Sequence, residues 1–279
     1  MGNIAGLRYG CSGPSSPETG EREWIAHELL RSNEYMQEEL RMAAEFQRAV
    51  LPEVVDVPYL RTCLLYRPLH GVSGDVYDFI LNREKELSVF LGDATGHGIA
   101  AALMTMMVLL GLDSMRPNLP TDQSMRRLNQ LIAARETGRA VSGLLFRISP
   151  RGTLSVTHAG HPSLIIIPAN GSGLRQFHGG GCALGLFEDE PVPYQEEYFK
   201  LDRGDKLFAY TDGIIEWRNR DNEIFGSARL LQFLKQQRQK KIEEIAGLLV
   251  ETLDRYAQGV PCHDDLTALI FEYSGDEAA

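Results

Sequence analysis

Apolar and polar positions change rhythm at Pro52. Upstream, from Glu21 to Leu51, the chain is charged, and Ile25, Leu29, Ser32, Met36, Glu39, Ala43, Phe46 and Val50 recur with alternating spacings of four and three. That spacing predicts one helix ending before the proline, with Ser32 and Glu39 as polar interruptions of its seam. Such a helix either packs on its own domain or pairs two chains as a short parallel coiled coil. A helix that precedes the globular region has little core of its own to lie on, and this favours the pair.

Downstream, short β-rich runs take over: "YLRTCLLYRPL", "DVYDFILN" and "ELSVFLGD" lead to a helix starting near Ile99, and "SMRRLNQLIAAR" at 124–135 predicts a second. Turn residues then predict hairpins around Pro150, Arg151 and Gly152, around Asn170 and Gly171, and around Arg203 and Gly204. Helices are expected at about 227–239 and 241–257, and "LTALIFEY" as a last strand. Strands grouped apart from helices, without βαβ alternation, predict an α+β fold in which an antiparallel β-sandwich is flanked by helices. The organisation expected is a flexible Gly/Ser/Pro-rich tail over 1–20, a helix or coiled-coil linker over 21–51, and one domain over 52–279.

With 279 residues and 43% hydrophobic composition, the chain can bury a substantial core. Its 28 basic and 38 acidic residues give a net charge of -10, which argues against nucleic acid or an anionic membrane as the main partner. Cys11, Cys63, Cys182 and Cys262 are scattered without CxxC spacing, so free thiols are expected rather than disulfides or zinc. No run reaches the ~20 apolar residues of a membrane span and no secretory signal is evident. Gly6 stands where N-terminal acylation prefers Ser or Thr. The expectation is a soluble cytoplasmic protein.

The acids then stand out. Asp75 follows "GVSG", Asp93 ends "LSVFLG", Asp212 follows "KLFAYT", and Asp264 and Asp265 precede "LTALIF". Each lies at a strand end beside small residues or a turn. If these edges meet, paired carboxylates repel by about 4 kcal/mol at 4 Å and an effective dielectric near 20. A divalent cation converts that penalty into binding, and an all-oxygen donor set suits Mg or Mn rather than zinc.

"GVSGDVYDF", "GDATGHGIAAALM", "THAGHPSLII", "LGLFEDE", "GDKLFAYTDGIIEWRNRDNEIFG" and "HDDLTALIF", in that order from about 60 to 273, resemble the metal-dependent (type 2C, PPM) protein phosphatases, specifically the bacterial SpoIIE/RsbU branch. The resemblance implies two divalent ions, Mn or Mg, bridged by Asp93, with the Ala94 carbonyl, Asp75, Asp212 and Asp264 completing the ligand set. Asp265 is either an alternative ligand or lies behind it. It further implies a serine/threonine phosphatase using metal-activated water, with a STAS-type anti-sigma-factor antagonist as substrate in a partner-switching pathway. A non-catalytic relative kept as a binding module is the alternative.

Glycines at 92, 96 and 98 let backbone approach an ion. His97 either protonates the leaving oxygen or serves the loop or helix cap. In "AGHP", His161 is expected to be structural. "DATGHG" in place of "DVSGHG", and His158 where relatives often carry Asn, leave the ligands intact. Arg67 either meets a substrate phosphate or is a surface strand residue.

Overall fold

The computed structural model describes residues 17–275 except 70, 116 and 178; the side chains of residues 17–21 and 23 are outside the description, as are residues 1–16 and 276–279. Cys11 and most of the expected tail therefore lie outside the described residues. Cys63, Cys182 and Cys262 are free thiols.

A helix, α1, runs from Pro17 to Val50. The chain divides into compact units at residues 1–42 and 43–279. In the first, α1 leaves Ile25, Leu29 and Met36 of the predicted seam exposed, together with Trp24, Leu30 and Tyr35. An ion pair of 2.6 Å joins Glu38 to Arg41 one turn on. In the second unit the last turns of α1 bury Ala44 and Gln47, while the seam positions Phe46 and Val50 remain exposed. The face packed on the domain is therefore rotated from the 4,3 seam.

Two antiparallel sheets follow. One has the order β1 (Leu60–Arg67), β10 (Leu266–Tyr273), β9 (Lys206–Tyr210), β6 (Ile165–Ile167), β7 (Arg175–Gln176). The other has the order β2 (Asp75–Leu81), β3 (Leu87–Ala94), β4 (Val141–Ile148), β5 (Thr153–Ala159), β8 (Glu197–Lys200). Period-2 side-chain alternation gives the first sheet two buried faces. Leu207, Ala209, Leu269 and Phe271 turn inward, with Phe271 edge-on to Phe146 of β4 at 5.5 Å. Phe208, Tyr210, Ala268 and Ile270 turn outward, where α5 (Gly226–Gln237) and α6 (Ile242–Ala257) cover them with Leu230, Leu234, Ile245 and Leu249. Helices α2 (Ile99–Asp113) and α3 (Thr121–Ala133) cover the second sheet. The layers are helix, sheet, sheet, helix, as the segregated strand pattern predicts.

Three features differ from the sequence expectation. The turn at Arg203–Gly204 makes no hairpin. It passes the chain between sheets, since β8 pairs with β5 whereas β9 pairs with β6 and β10. The turn itself is real, closed by Asp205 N–H to Asp202 O at 3.0 Å, but turn chemistry reports a change of direction and says nothing of the partner strand. Helix α3 begins at Thr121 rather than 124 because Glu196 accepts its N–H at 3.0 Å and its hydroxyl at 2.8 Å, a helix-terminal carboxylate supplied from distant sequence. Finally, a short α4 (Gly213–Glu216) follows Asp212 directly.

Gln47 joins α1 to the sandwich. Its side chain donates to Ser73 O at 2.8 Å and Thr105 Oγ1 at 2.9 Å and accepts from Ser73 N–H at 2.8 Å, all buried. Gln47→Ala should leave both Ser73 backbone groups without that partner and cost about 1–3 kcal/mol. Denaturant melts check this, and an unchanged midpoint contradicts it.

Candidate metal centre

The register of β2 and β3 places Asp75 directly opposite Asp93, so both carboxylates share one sheet face. Asp75 is buried, and its Oδ2 accepts hydroxyl bonds from Thr211 at 2.9 Å and Thr267 at 2.5 Å. Those threonines stand at the ends of β9 and β10 and bond each other's backbone, Thr211 N–H to Thr267 O at 3.0 Å and Thr267 N–H to Thr211 Oγ1 at 3.1 Å. One carboxylate from the second sheet is thereby tied to the first. Asp212 follows Thr211, while Asp264 and Asp265 sit just before β10. The approach of these segments is close enough that a Cβ on Gly213 would lie 2.0 Å from Asp265 O.

All the predicted acids converge on this edge. Burial pushes Asp93 up to about 9, with Asp75, Asp212, Asp264 and Asp265 adding to the rise. Asp75 is driven well above its ordinary value by burial, against the two threonine bonds and with help from Asp265 and Asp264. Burial and Glu216 raise Asp212. Asp264 is raised by burial and by Asp212 and Asp265, while His97 pulls it down. Among the described residues none of these carboxylates pairs with Lys or Arg, and no three of them close into a ready-made ligand set. Burial first, and mutual repulsion added to it, account for the proton retention.

The donor chemistry fits divalent cations. An ideal Cβ placed on Gly74 would lie 3.1 Å from Ala94 O and 3.2 Å from Asp93 Oδ1, so the missing side chain leaves two oxygens facing one cradle. Asp264 and Asp265 differ in what their oxygens do. Asp265 is fully engaged with backbone, accepting Leu69 N–H at 2.6 Å on Oδ1 and Gly74 N–H at 2.7 Å on Oδ2. Asp264 is half-buried, and among the described residues its Oδ1 takes a hydrogen bond from Asp265 N–H at 2.9 Å. The two adjacent acids thus differ in how their oxygens are engaged.

His97 is exposed in a loop between Gly96, φ +90, and Gly98, φ +77. The N-cap of α2 is Gly98, the residue after it. The loop is held through Thr95, whose N–H donates to Ala140 O at 2.9 Å and whose hydroxyl accepts Ala140 N–H at 3.1 Å. Arg139 adds a bond to Thr95 O at 2.7 Å.

His161 is buried, with Nδ1 2.8 Å from Ser142 Oγ, and burial lowers it to about 3. It braces Ser142, the residue paired with Asp93 across the strands. Burial also holds His158 down at about 4. Arg67 lies over the Trp217 ring at 5.7 Å, with Asp254 at 3.8 Å.

Sequence reasoning missed Thr211, Thr267, Glu216 and Arg139. Thr267 is legible in retrospect as the polar residue near the start of an otherwise apolar "LTALIF", and Glu216 as one helical turn beyond Asp212. Arg139 has no local signature, because its partner is 44 residues away. A cavity of about 180 Å³, lined by Glu216, Trp217, Arg218, His263 and Asp264 among others, abuts the acids. The larger cavity of about 470 Å³ lies between α5 and α6 and includes none of them.

Residues 83–274 match the family described as Stage II sporulation protein E (SpoIIE). Protein IcfG of Synechocystis is 26% identical over 83% of this chain, which spans 41% of that relative's length. Phosphoserine phosphatase RsbU of Bacillus subtilis is 22% identical over 88% of this chain and 73% of its own. The SiaA-PP2C domain of Pseudomonas aeruginosa superposes with a TM-score of 0.75 at 23% identity, over 87% of this chain and 98% of that one.

The raised carboxylates set a pH dependence. Asp93 moves from 3.8 to about 9 on folding, so the folded metal-free protein retains a proton that the unfolded chain releases. Its contribution to stability is fully present below about pH 4 and is lost as pH rises toward 9. In chelator, Asp93→Asn should therefore raise Tm at about pH 8, by about 2–4 °C for each kcal/mol of repulsion relieved, with little gain near pH 5. Manganese should reverse the order by stabilising the wild type more. Thermal melts at both pH values check this; a variant without the alkaline gain contradicts it.

Proposed function

Since this chain belongs to the SpoIIE family, we propose that it is a metal-dependent protein serine/threonine phosphatase, with residues 52–279 as its catalytic domain. The carrying observation is the convergence of unpaired carboxylates around the Gly74 cradle, where Ala94 O and Asp93 Oδ1 face the same point. Asp93, Ala94 O, Asp75, Asp212 and Asp264 would hold two ions, Mn or Mg, with Asp265 bracing the backbone at Leu69 and Gly74. Bound there, the ions would activate water for direct attack on phosphorus and neutralise charge on the phosphoryl oxygens.

The chain supplies the rest. Asp75 is held in place by Thr211 and Thr267, and the 95–97 loop by Arg139 and Ala140. His97, exposed and close enough to Asp264 to act on its charge, would hand a proton to the departing seryl or threonyl oxygen. The substrate in this reading is a phosphorylated STAS-domain protein of a cytoplasmic partner-switching pathway. Support comes from the six family motifs and from the relative named phosphoserine phosphatase RsbU. No described helix is long and apolar enough to cross a membrane.

Activity should vanish in chelator, return with Mn or Mg, and be lost in Asp93→Asn and Asp212→Asn. His97→Ala should lower phosphoserine turnover by about 10² to 10⁴, and aryl phosphate turnover much less, because an activated leaving group needs little protonation. Phosphate release assays decide. Full activity in metal-free enzyme, or equal His97→Ala losses on both substrates, would remove the respective role.

The same reading makes residues 21–51 a homodimer contact, supported by the exposure of Ile25, Leu29, Met36, Phe46 and Val50 along the seam. Sedimentation should show a dimer for the full chain and a monomer for residues 52–279. A monomeric full chain at micromolar concentration refutes it.

A further inference from the structure

Leu186 and Phe187 are apolar yet 55% and 46% exposed, and they are held that way. Asn129, buried on α3, accepts Gly185 N–H at 2.8 Å through Oδ1 and donates Nδ2 to Phe187 O at 3.0 Å. Leu186 N–H closes a turn onto Ala183 O at 3.3 Å. Gly185 has φ +79, and a Cβ there would lie 2.4 Å from Ile132 Cγ2, so the turn admits no other residue without rearrangement. A buried amide is spent on presenting two hydrophobic side chains to solvent.

This knob is near the metal edge. Leu184 exchanges backbone bonds with Val141 at 2.9 and 2.8 Å, and Val141 is the cross-strand partner of Ala94. Two inter-strand steps place Leu184 about 10 Å from Ala94, with the knob two residues further on. A stable protein–protein contact covers about 800 Å² on each partner, a disc of about 16 Å radius. The footprint of a folded protein seated with its phosphoserine at Asp93 and Ala94 is of the same extent as the separation from the knob, whereas a small phosphomonoester is far smaller.

Building on the phosphatase reading, we propose that Leu186 and Phe187 form the docking contact for a folded phosphoprotein substrate and distinguish it from small phosphate esters. The charge beside the knob describes the partner's surface. Glu188 and Asp189 are exposed, and Glu190 is engaged by Arg126 at 2.9 Å. The matching face is an apolar patch close to the phosphoserine, bordered by Lys or Arg.

The test compares manganese-loaded wild type, Leu186→Asp and Phe187→Asp on two probes, a serine-phosphorylated STAS-domain protein and p-nitrophenyl phosphate. Both positions are exposed, so the variants fold. The expected result is a loss of about tenfold or more in kcat/KM on the phosphoprotein, carried by KM, with aryl phosphate hydrolysis at the wild-type rate. Unchanged phosphoprotein kinetics overturn the proposal, as does an equal loss on both probes, which would mean that the knob acts on the centre itself. A wild type that hydrolyses the aryl phosphate but not the phosphoprotein rejects the substrate class and the docking role with it. A wild type inert toward both rejects the phosphatase reading instead.

Discussion

Like charge crowded at a strand edge is the constraint on which the rest of this molecule depends. Asp75 and Asp93 are set opposite each other by β-sheet register, and Asp212 and Asp264 arrive from the other sheet. Among the described residues no Lys or Arg pairs with them, and His97 acts on Asp264 alone of the four raised acids. A fold tolerates this only if strong packing elsewhere offsets it, and the two sheets supply that packing with a continuous apolar interior sealed by helices on both outer faces. Two threonine hydroxyls hold the most buried acid. Two backbone amides hold Asp265.

The supports around the acids come from elements far apart in the chain. Arg139 and Ala140 fix the loop after Asp93, His161 and Ser142 stand behind the strand that pairs with it, and Gln47 grips the backbone at Ser73, two residues before Asp75. The last of these lies at the end of α1, in the same compact unit as the acids.

The sequence showed the strands because their periods are local, and it showed the acids because each sits beside glycine or a turn at a strand end. The helix beginning at Ile99 was legible for the same reason. What it could not show was set by distant partners. The start of α3 depends on Glu196, the segment at Arg203–Gly204 leads into a different sheet from the one it leaves, and the burial of Ala44 and Gln47 in place of Phe46 and Val50 is decided by where α1 meets the domain. The two adjacent acids were equivalent as letters. They differ in the structure because the 69–74 loop turns its amides toward one of them.

The bond between Asp75 and Thr267 spans 192 residues. A ribosome adding about 5–20 residues per second needs about 10–40 s to travel that distance. Throughout that interval β1 also waits for β10, its hydrogen-bonded neighbour, and the first sheet cannot be completed. The acids of β2 and β3 thus emerge early and their counterparts late, so a nascent chain has no assembled centre. Until β10 is made, a cation finds Asp75 and Asp93 without Asp264.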